Sequence, residues 1–165
     1  MKQNTTLYLT RGALIAALYV ALTYLCAMLG LASGVIQLRL SEALTVMVLF
    51  MPEAVIGLTI GCLIANILTG ALIWDVIFGT LATLLGAVGG RFLRKLPSKL
   101  IWIATLPTVL SNSIIIPFVL IWAYGVPDTY FFIMLTVAIG EIISAGVLGT
   151  LLYFSLKKTK FIKDI

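Results

Sequence analysis

Six side chains that can bind a polar ligand interrupt a sequence that is otherwise strongly apolar. Hydrophobic residues make up 62% of the 165 residues, charged residues make up 10%, and the mean hydropathy is +1.19. This composition indicates a chain whose main solvent is lipid. Ionisable and amide groups inside apolar segments are costly, so they mark a functional site unless they pair with one another. The six candidates are Arg39, Glu42, Asn66, Asp75, Asn112 and Glu141.

The stretch QLRLSEALTVMVLFM at 37–51 contains the first two candidates, Arg39 and Glu42. As a helix its apolar part would be about 18 Å long, which is shorter than the hydrocarbon core of a bilayer, about 30 Å. Short, interrupted apolar segments that carry polar residues are typical of substrate sites between helices. We therefore predict a site for a small polar solute here, with Ser41 as the helix N-cap. Alternatively, Arg39 and Glu42 are three residues apart and neutralise each other.

Structural roles also offer alternative explanations for three of the other candidates. Asp75 precedes an apolar segment and suits the N-cap and dipole partner of a helix. Asn112 lies between Pro107 and Pro117, where a polar side chain can satisfy carbonyl groups that prolines leave free. Glu141 can be a protonated structural carboxyl group that bonds to a neighbouring helix.

Several classes of chemistry are not supported by the sequence. There is no histidine, and Cys26 and Cys62 lie in separate apolar segments without CxxC spacing. We therefore expect no catalytic residue, no metal site, no cofactor and no disulfide. The absence of a GxxxxGK[ST] motif assigns any ATP hydrolysis to another chain. A lipid-modifying intramembrane enzyme is disfavoured for the same reasons.

The net charge of +5 follows membrane topology rather than nucleic-acid binding. Every basic residue except Arg39 lies in one of three clusters beside apolar runs, as cytoplasmic loops do. Both termini and the loop 91–99 are therefore predicted to be cytoplasmic. The clusters are Lys2 and Arg11; Arg91, Arg94, Lys95 and Lys99; and Lys157, Lys158, Lys160 and Lys163.

The apolar runs predict an all-α membrane protein with six transmembrane helices in a single domain, 1–165. The predicted spans are 12–31, 39–51, 54–74, 76–91, 100–124 and 130–156. Trp74, Trp122 and Tyr124 stand near predicted span ends, where an aromatic ring can stack on a flat ligand.

Small residues predict two close helix contacts. Ala13, Ala17 and Ala21 form a stripe along one face of the first helix, and Gly57-x-x-x-Gly61 lies in the third span. Such faces let helix backbones approach closely in lipid. The alanine stripe either docks another membrane protein or packs within this chain.

Three ordered runs carry a family resemblance: IQLRLSEALT at 36–45, GLTIGCLIAN at 57–66 and DVIFGTLATLL at 75–85. Together they resemble the queuosine-precursor transporter (QueT) family, strongly over 12–94. The resemblance implies the substrate-binding (S) component of an energy-coupling factor (ECF) importer, a six-helix subunit in the bacterial cell membrane. Its implied partners are a transmembrane coupling protein and two ATPase subunits. It also implies that Ala13, Ala17 and Ala21 contact the coupling protein and that loop 30–38 covers the site.

The ligand implied by the resemblance is preQ1, 7-aminomethyl-7-deazaguanine, or a close relative. Its amidine edge suits a carboxylate, its O6 atom suits an arginine or amide donor, and its ring suits an aromatic stacker. Which carboxylate takes which edge stays open. Other interpretations are an S component for another purine-like or vitamin-like solute, and a proton-coupled carrier that works alone through Glu141.

Overall fold

Helices are the regular elements of the computed structural model, which describes residues 5–31 and 37–159. No strand occurs among the described residues, so the predicted all-α class is confirmed. Six α-helices form the body of the molecule: α1 (Thr5–Met28), α2 (Glu53–Leu68), α3 (Ile73–Phe92), α4 (Leu106–Trp122), α5 (Tyr130–Glu141) and α6 (Gly149–Lys157). A 3₁₀ helix (Leu40–Leu49) precedes α2, short 3₁₀ segments (Leu93–Lys95, Ser98–Thr105) connect α3 to α4, and a π segment (Ile142–Leu148) connects α5 to α6.

Four continuous helical stretches in the described part are long and apolar enough to cross a membrane. They are Thr5–Met28, Ile73–Lys95, Ser98–Trp122 and Tyr130–Lys157. Two predicted spans instead correspond to shorter apolar helices. The 16 residues of α2 extend about 24 Å, and the 10 residues of the 3₁₀ helix extend about 20 Å. Six crossings with both ends cytoplasmic therefore remain a prediction.

The boundaries of α2 and α3 differ from the predicted spans 54–74 and 76–91. Thr69 caps the end of α2 through its backbone, and Gly70 follows with φ of +73°, a left-handed conformation that glycine adopts without steric cost. The chain turns there, and α3 begins at Ile73. The apolar pattern continues through this turn, which explains why the sequence did not reveal it.

The 3₁₀ helix lies at the centre of the molecule. It contacts α1, α2, α3 and α6 as well as the π segment. Its buried residues are Ser41, Glu42, Leu44, Thr45, Val46 and Val48. The predicted N-cap is wrong, since the helix begins at Leu40 and the Ser41 hydroxyl instead accepts a hydrogen bond of 2.8 Å from Thr23 in α1.

The GxxxG motif of α2 packs against α1 within this chain. A Cβ atom on Gly57 would lie 2.6 Å from the carbonyl oxygen of Gly12, and one on Gly61 would lie 2.8 Å from Cβ of Tyr19 and 3.0 Å from the oxygen of Ala16. Only glycine fits so close a helix contact, as expected for small-residue interfaces in membranes.

Basic side chains form an ion pair and a hydrogen bond between neighbouring helices at the end of the bundle where α1 and α2 begin. Arg11 pairs with Glu53 at 3.7 Å, and Nη1 of Arg91 donates to the Val48 carbonyl oxygen at 2.8 Å. That carbonyl belongs to the last turn of the 3₁₀ helix. A cation at the C-terminal end of a helix complements the unpaired carbonyl groups there.

Candidate substrate-binding site

A cavity of about 410 Å³ lies at the opposite end of the bundle. Its wall combines the end of α1, the residues before the 3₁₀ helix, the α2–α3 turn and the segment that follows α4. The polar and charged side chains in its lining are Thr23, Gln37, Arg39, Asn66, Thr69, Asp75 and Tyr124. The volume is within the range of small-molecule sites, about 300–1,000 Å³.

Asp75 lies in the first turn of α3. The N-cap is Leu72, and no side chain caps the helix, so the N-cap part of the structural explanation is wrong, whereas an acidic residue in the first turn does suit the helix dipole. Oδ2 of Asp75 accepts a hydrogen bond of 3.1 Å from the Tyr124 hydroxyl, which in turn accepts one of 3.2 Å from the Leu72 amide. Oδ1 of Asp75 is buried and has no hydrogen-bond partner among the described residues.

Asn66, at the end of α2, lies beside Asp75. Its Nδ2 donates to the Asp75 backbone oxygen at 3.4 Å and to Cys62 Sγ at 3.6 Å. A Cβ atom on Gly79 would be 3.1 Å from this Nδ2 and 3.2 Å from Oδ1 of Asp75, so the amide and the carboxylate converge over the glycine. A donor whose two hydrogen bonds are both long and an acceptor without a partner in the described chain thus lie side by side next to Gly79.

Arg39 lines the cavity, and its backbone is extended, with φ of −116° and ψ of 93°. Its amide donates to the Ser144 hydroxyl at 3.2 Å, which ties it to the π segment. The carboxylates of Asp75 and Glu42 both act electrostatically on its guanidinium. Within the described chain, the ion pair under 4.0 Å joins Arg11 to Glu53 rather than Arg39 to Glu42. Arg39 and Glu42 thus form no direct ion pair among the described residues, and their mutual neutralisation stays an open alternative.

Glu42, Asn112 and Glu141 form a buried polar group beside the cavity rather than part of its lining. The Tyr19 hydroxyl donates to Oε1 of Glu42, and Glu141 interacts electrostatically with Glu42, Arg39 and Asn112. Across the described residues, Oε2 of both glutamates and Nδ2 of Asn112 lack hydrogen-bond partners. Burying polar groups without hydrogen-bond partners costs free energy, so this cluster either takes part in function or strains the fold.

Trp74 and Trp122 lie outside the cavity. Their side chains are 56% and 92% exposed, and they line a separate apolar groove with Phe78 and Phe118. Tyr124 is the aromatic residue that reaches the cavity.

Ala13, Ala17 and Ala21 are exposed along α1. Ala13 and Ala17 line an apolar groove between α1 and α2, while Gly12 and Ala16, on the adjacent face, make the close contact with α2. The packing of α1 on α2 thus uses a neighbouring set of small residues and leaves the predicted stripe uncovered.

The predicted lid, 30–38, includes residues 32–36, which lie outside the described part of the chain. Its ends are near each other, because the Leu38 amide donates to the Leu31 carbonyl oxygen at 3.0 Å.

Sequence reasoning missed several residues that shape the site: Tyr19, Thr23, Cys26, Gln37, Gly140 and Ser144. Cys26 Sγ accepts from the Leu40 amide at 3.4 Å, and a Cβ atom at Gly140 would overlap the carbonyl oxygen of Gln37. The available signals were Tyr19 within the alanine-rich part of α1 and the small residues on both sides of Glu141.

Comparison of the sequence with known proteins finds a transporter family. Residues 9–158 match the family model described as QueT transporter. A protein of Lactococcus lactis subsp. cremoris (strain MG1363), named queuosine precursor transporter QueT, is 40% identical over 84 residues. The aligned part covers 51% of this chain and 49% of that protein, so the chain spans about half the length of this relative. No solved structure matches the chain significantly.

Proposed function

Because the chain belongs to the QueT transporter family, we propose that it is the substrate-binding subunit of an ECF-type importer for a queuosine precursor. The proposed ligand is preQ1 or a closely related deazaguanine, captured outside the cell for uptake driven by ATP. Membership of a transporter family, rather than an enzyme family, agrees with a cavity that is lined by charged side chains within an apolar helical chain.

The observation that carries this proposal is the set of groups at the cavity. Arg39 and Asn66 supply donors, Asp75 supplies an acceptor, and Tyr124 supplies an aromatic face. A deazaguanine offers an acceptor, a row of donors and a flat ring, which these groups complement.

The proposed topology has six crossings and both termini in the cytoplasm of a bacterial cell, with 1–165 forming one membrane domain. Arg11, Arg91 and Lys157 lie at one end of the bundle, and the cavity lies at the other. Under the positive-inside rule the basic end is cytoplasmic, so the cavity faces outward.

The proposed partners are a transmembrane coupling protein and two ATPase subunits. The exposed face around Ala13 and Ala17 is the proposed contact for the coupling protein, because small residues permit close helix approach.

Titration calorimetry on the detergent-purified chain tests the binding part of the proposal. PreQ1 should bind, and Arg39→Met should weaken binding by about tenfold or more, since a charged hydrogen bond contributes about 1.5–3 kcal/mol. Arg94→Met removes the same charge from an exposed position and is the matched control. A native chain that does not bind preQ1 contradicts the proposed substrate.

Reconstitution separates this role from a carrier that works alone. Proteoliposomes with the chain alone should accumulate no preQ1, and those with the coupling protein and ATPases should do so when ATP is supplied. Uptake by the chain alone along a proton gradient would contradict the ECF assignment.

A further inference from the structure

We propose that Asp75, together with Asn66 and Arg39, forms hydrogen bonds with the lactam–amidine edge of the ligand ring, which carries the O6 atom and the neighbouring N–H groups. In this proposal Asp75 does not bind the cationic aminomethyl arm of the ligand. This assignment rests on the proposed function and specifies which carboxylate contacts the ligand. Asp75 is the acidic residue in the cavity lining, whereas Glu42 and Glu141 are not part of that lining.

The Asp75 carboxylate is held in place with one oxygen available. Tyr124 donates to Oδ2 at 3.1 Å, while Oδ1 is buried without a partner among the described residues. The whole residue is only 8% exposed. A buried acceptor of this kind is costly unless a ligand supplies a donor, as the ring N–H of a lactam does.

Donors stand next to this acceptor, as recognition of a lactam requires. Nδ2 of Asn66 and Oδ1 of Asp75 lie 3.1 and 3.2 Å from the position of a Cβ atom on Gly79, so they meet on the same face. A guanine-type edge presents a carbonyl oxygen beside an N–H group, which pairs with a donor beside an acceptor. The guanidinium of Arg39, in the same lining, supplies further donors for the carbonyl oxygen.

The charges in the cavity lining favour the ring edge of the ligand, rather than an ammonium arm, as the group that Asp75 contacts. Arg39 and Asp75 line the same cavity and carry opposite charges, which offset each other there. An ammonium group at Asp75 would share that position with the arginine and would be repelled by it. A neutral lactam edge needs donors and acceptors without net charge, which the pair provides.

The test uses two deazaguanines that have the same ring edge and differ in the arm. One is the 7-aminomethyl compound, which is cationic, and the other is the 7-cyano compound, which is neutral. Asp75→Asn should weaken binding of both by the same factor, about tenfold to a hundredfold, because the lost contact is to the shared edge. Asp128→Asn, at an exposed position in the segment after α4, is the control and should leave both affinities unchanged.

Each alternative outcome is distinguishable. Loss of affinity for the aminomethyl compound alone would assign Asp75 to the arm and overturn the inference, as would no loss for either compound. Binding of neither compound by the native chain would overturn the proposed function together with this assignment.

If Asp75→Asn does not give a monodisperse protein, Asn66→Ala decides instead, because it removes the neighbouring donor and leaves the carboxylate. This substitution should weaken the binding of both compounds by the same factor. An unchanged affinity in a folded Asn66→Ala protein would overturn the inference.

Discussion

The hydroxyl of Tyr19 in α1 donates a hydrogen bond to Oε1 of Glu42 in the 3₁₀ helix, and both residues are almost completely buried. This contact joins the helix that exposes the alanine stripe to the helix that follows Arg39. The other carboxylate oxygen of Glu42 has no partner among the described residues, so Tyr19 provides the side-chain hydrogen bond that this carboxylate receives there.

Tyr19→Phe should destabilise the protein by about 1–3 kcal/mol, because it leaves a buried carboxylate oxygen without its donor. Thermal unfolding in detergent measures the effect. Tyr24→Phe, at a side chain that is 50% exposed on the same helix, should change the unfolding temperature little. Equal unfolding temperatures for the two variants would contradict the importance of the contact.

Gly57→Ala should destabilise the contact between α1 and α2, by about 1–3 kcal/mol as is usual for overpacking. The added methyl group meets the Gly12 backbone at 2.6 Å, and the backbone cannot move aside without separating the helices. Gly146→Ala is the matched control, since its nearest neighbour would be 3.8 Å away. Thermal unfolding of both variants checks the prediction, and a native-like Gly57→Ala protein would contradict it.

Arg91→Met should loosen the end of the 3₁₀ helix, because Arg91 donates to the Val48 carbonyl oxygen. Hydrogen bonds to charged groups contribute about 1.5–3 kcal/mol, so a loss of this order is expected. Hydrogen exchange of amides in 40–51, followed by mass spectrometry, should become faster. Arg94→Met removes an exposed charge from the same loop and should leave this exchange unchanged.

Ala17→Leu should preserve ligand binding and abolish uptake driven by ATP. The new side chain fills the groove between α1 and α2 on the exposed face, far from the cavity lining, and prevents close helix approach by a partner. Equilibrium binding to the isolated chain and co-purification with the coupling protein are the two measurements.

Val147→Leu is the control for Ala17→Leu, because it adds bulk at a side chain that is 52% exposed on the π segment. It should bind ligand and support uptake normally. Loss of ligand binding in Ala17→Leu would mean that the stripe supports the fold, and retained uptake would mean that the partner docks elsewhere.

The sequence was sufficient to predict some of the polar residues of the cavity, because charge in an apolar chain is conspicuous. Arg39, Asn66 and Asp75 come from three different segments and line the same cavity, whereas Thr23 and Gln37 in that lining were missed. The central position of the 3₁₀ helix after Arg39 was predicted from the short length of its apolar run and from the charged residues beside it. The helical class and the close contact at Gly57 followed from hydropathy and small-residue spacing.

Other features depended on tertiary geometry that a pattern does not contain. Trp74 and Trp122 were expected to stack on the ligand because of their position near span ends, but the rotation of each helix directs them outward. The 3₁₀ geometry of Leu40–Leu49 also has no simple sequence signal, since its apolar run fits an α-helix equally well. The role of Tyr19 was not predicted, because it is one of three tyrosines in an apolar helix, where an aromatic residue is usually part of ordinary packing.

The π segment fixes the angular relation between the two halves of the last helical stretch. Its wider turns accommodate more residues than α turns do, and neighbouring residues of an α-helix are about 100° apart around the axis. Gly140, before the segment, packs against the Gln37 backbone ahead of the 3₁₀ helix, whereas Tyr153, after it, stacks on Phe50 just beyond the end of that helix, with ring centroids 5.0 Å apart. Removing one residue from the segment would turn Tyr153 by about 100° relative to Gly140, so that only one of these contacts could form. The length of 142–148 is therefore more constrained than the identity of its outward-facing side chains.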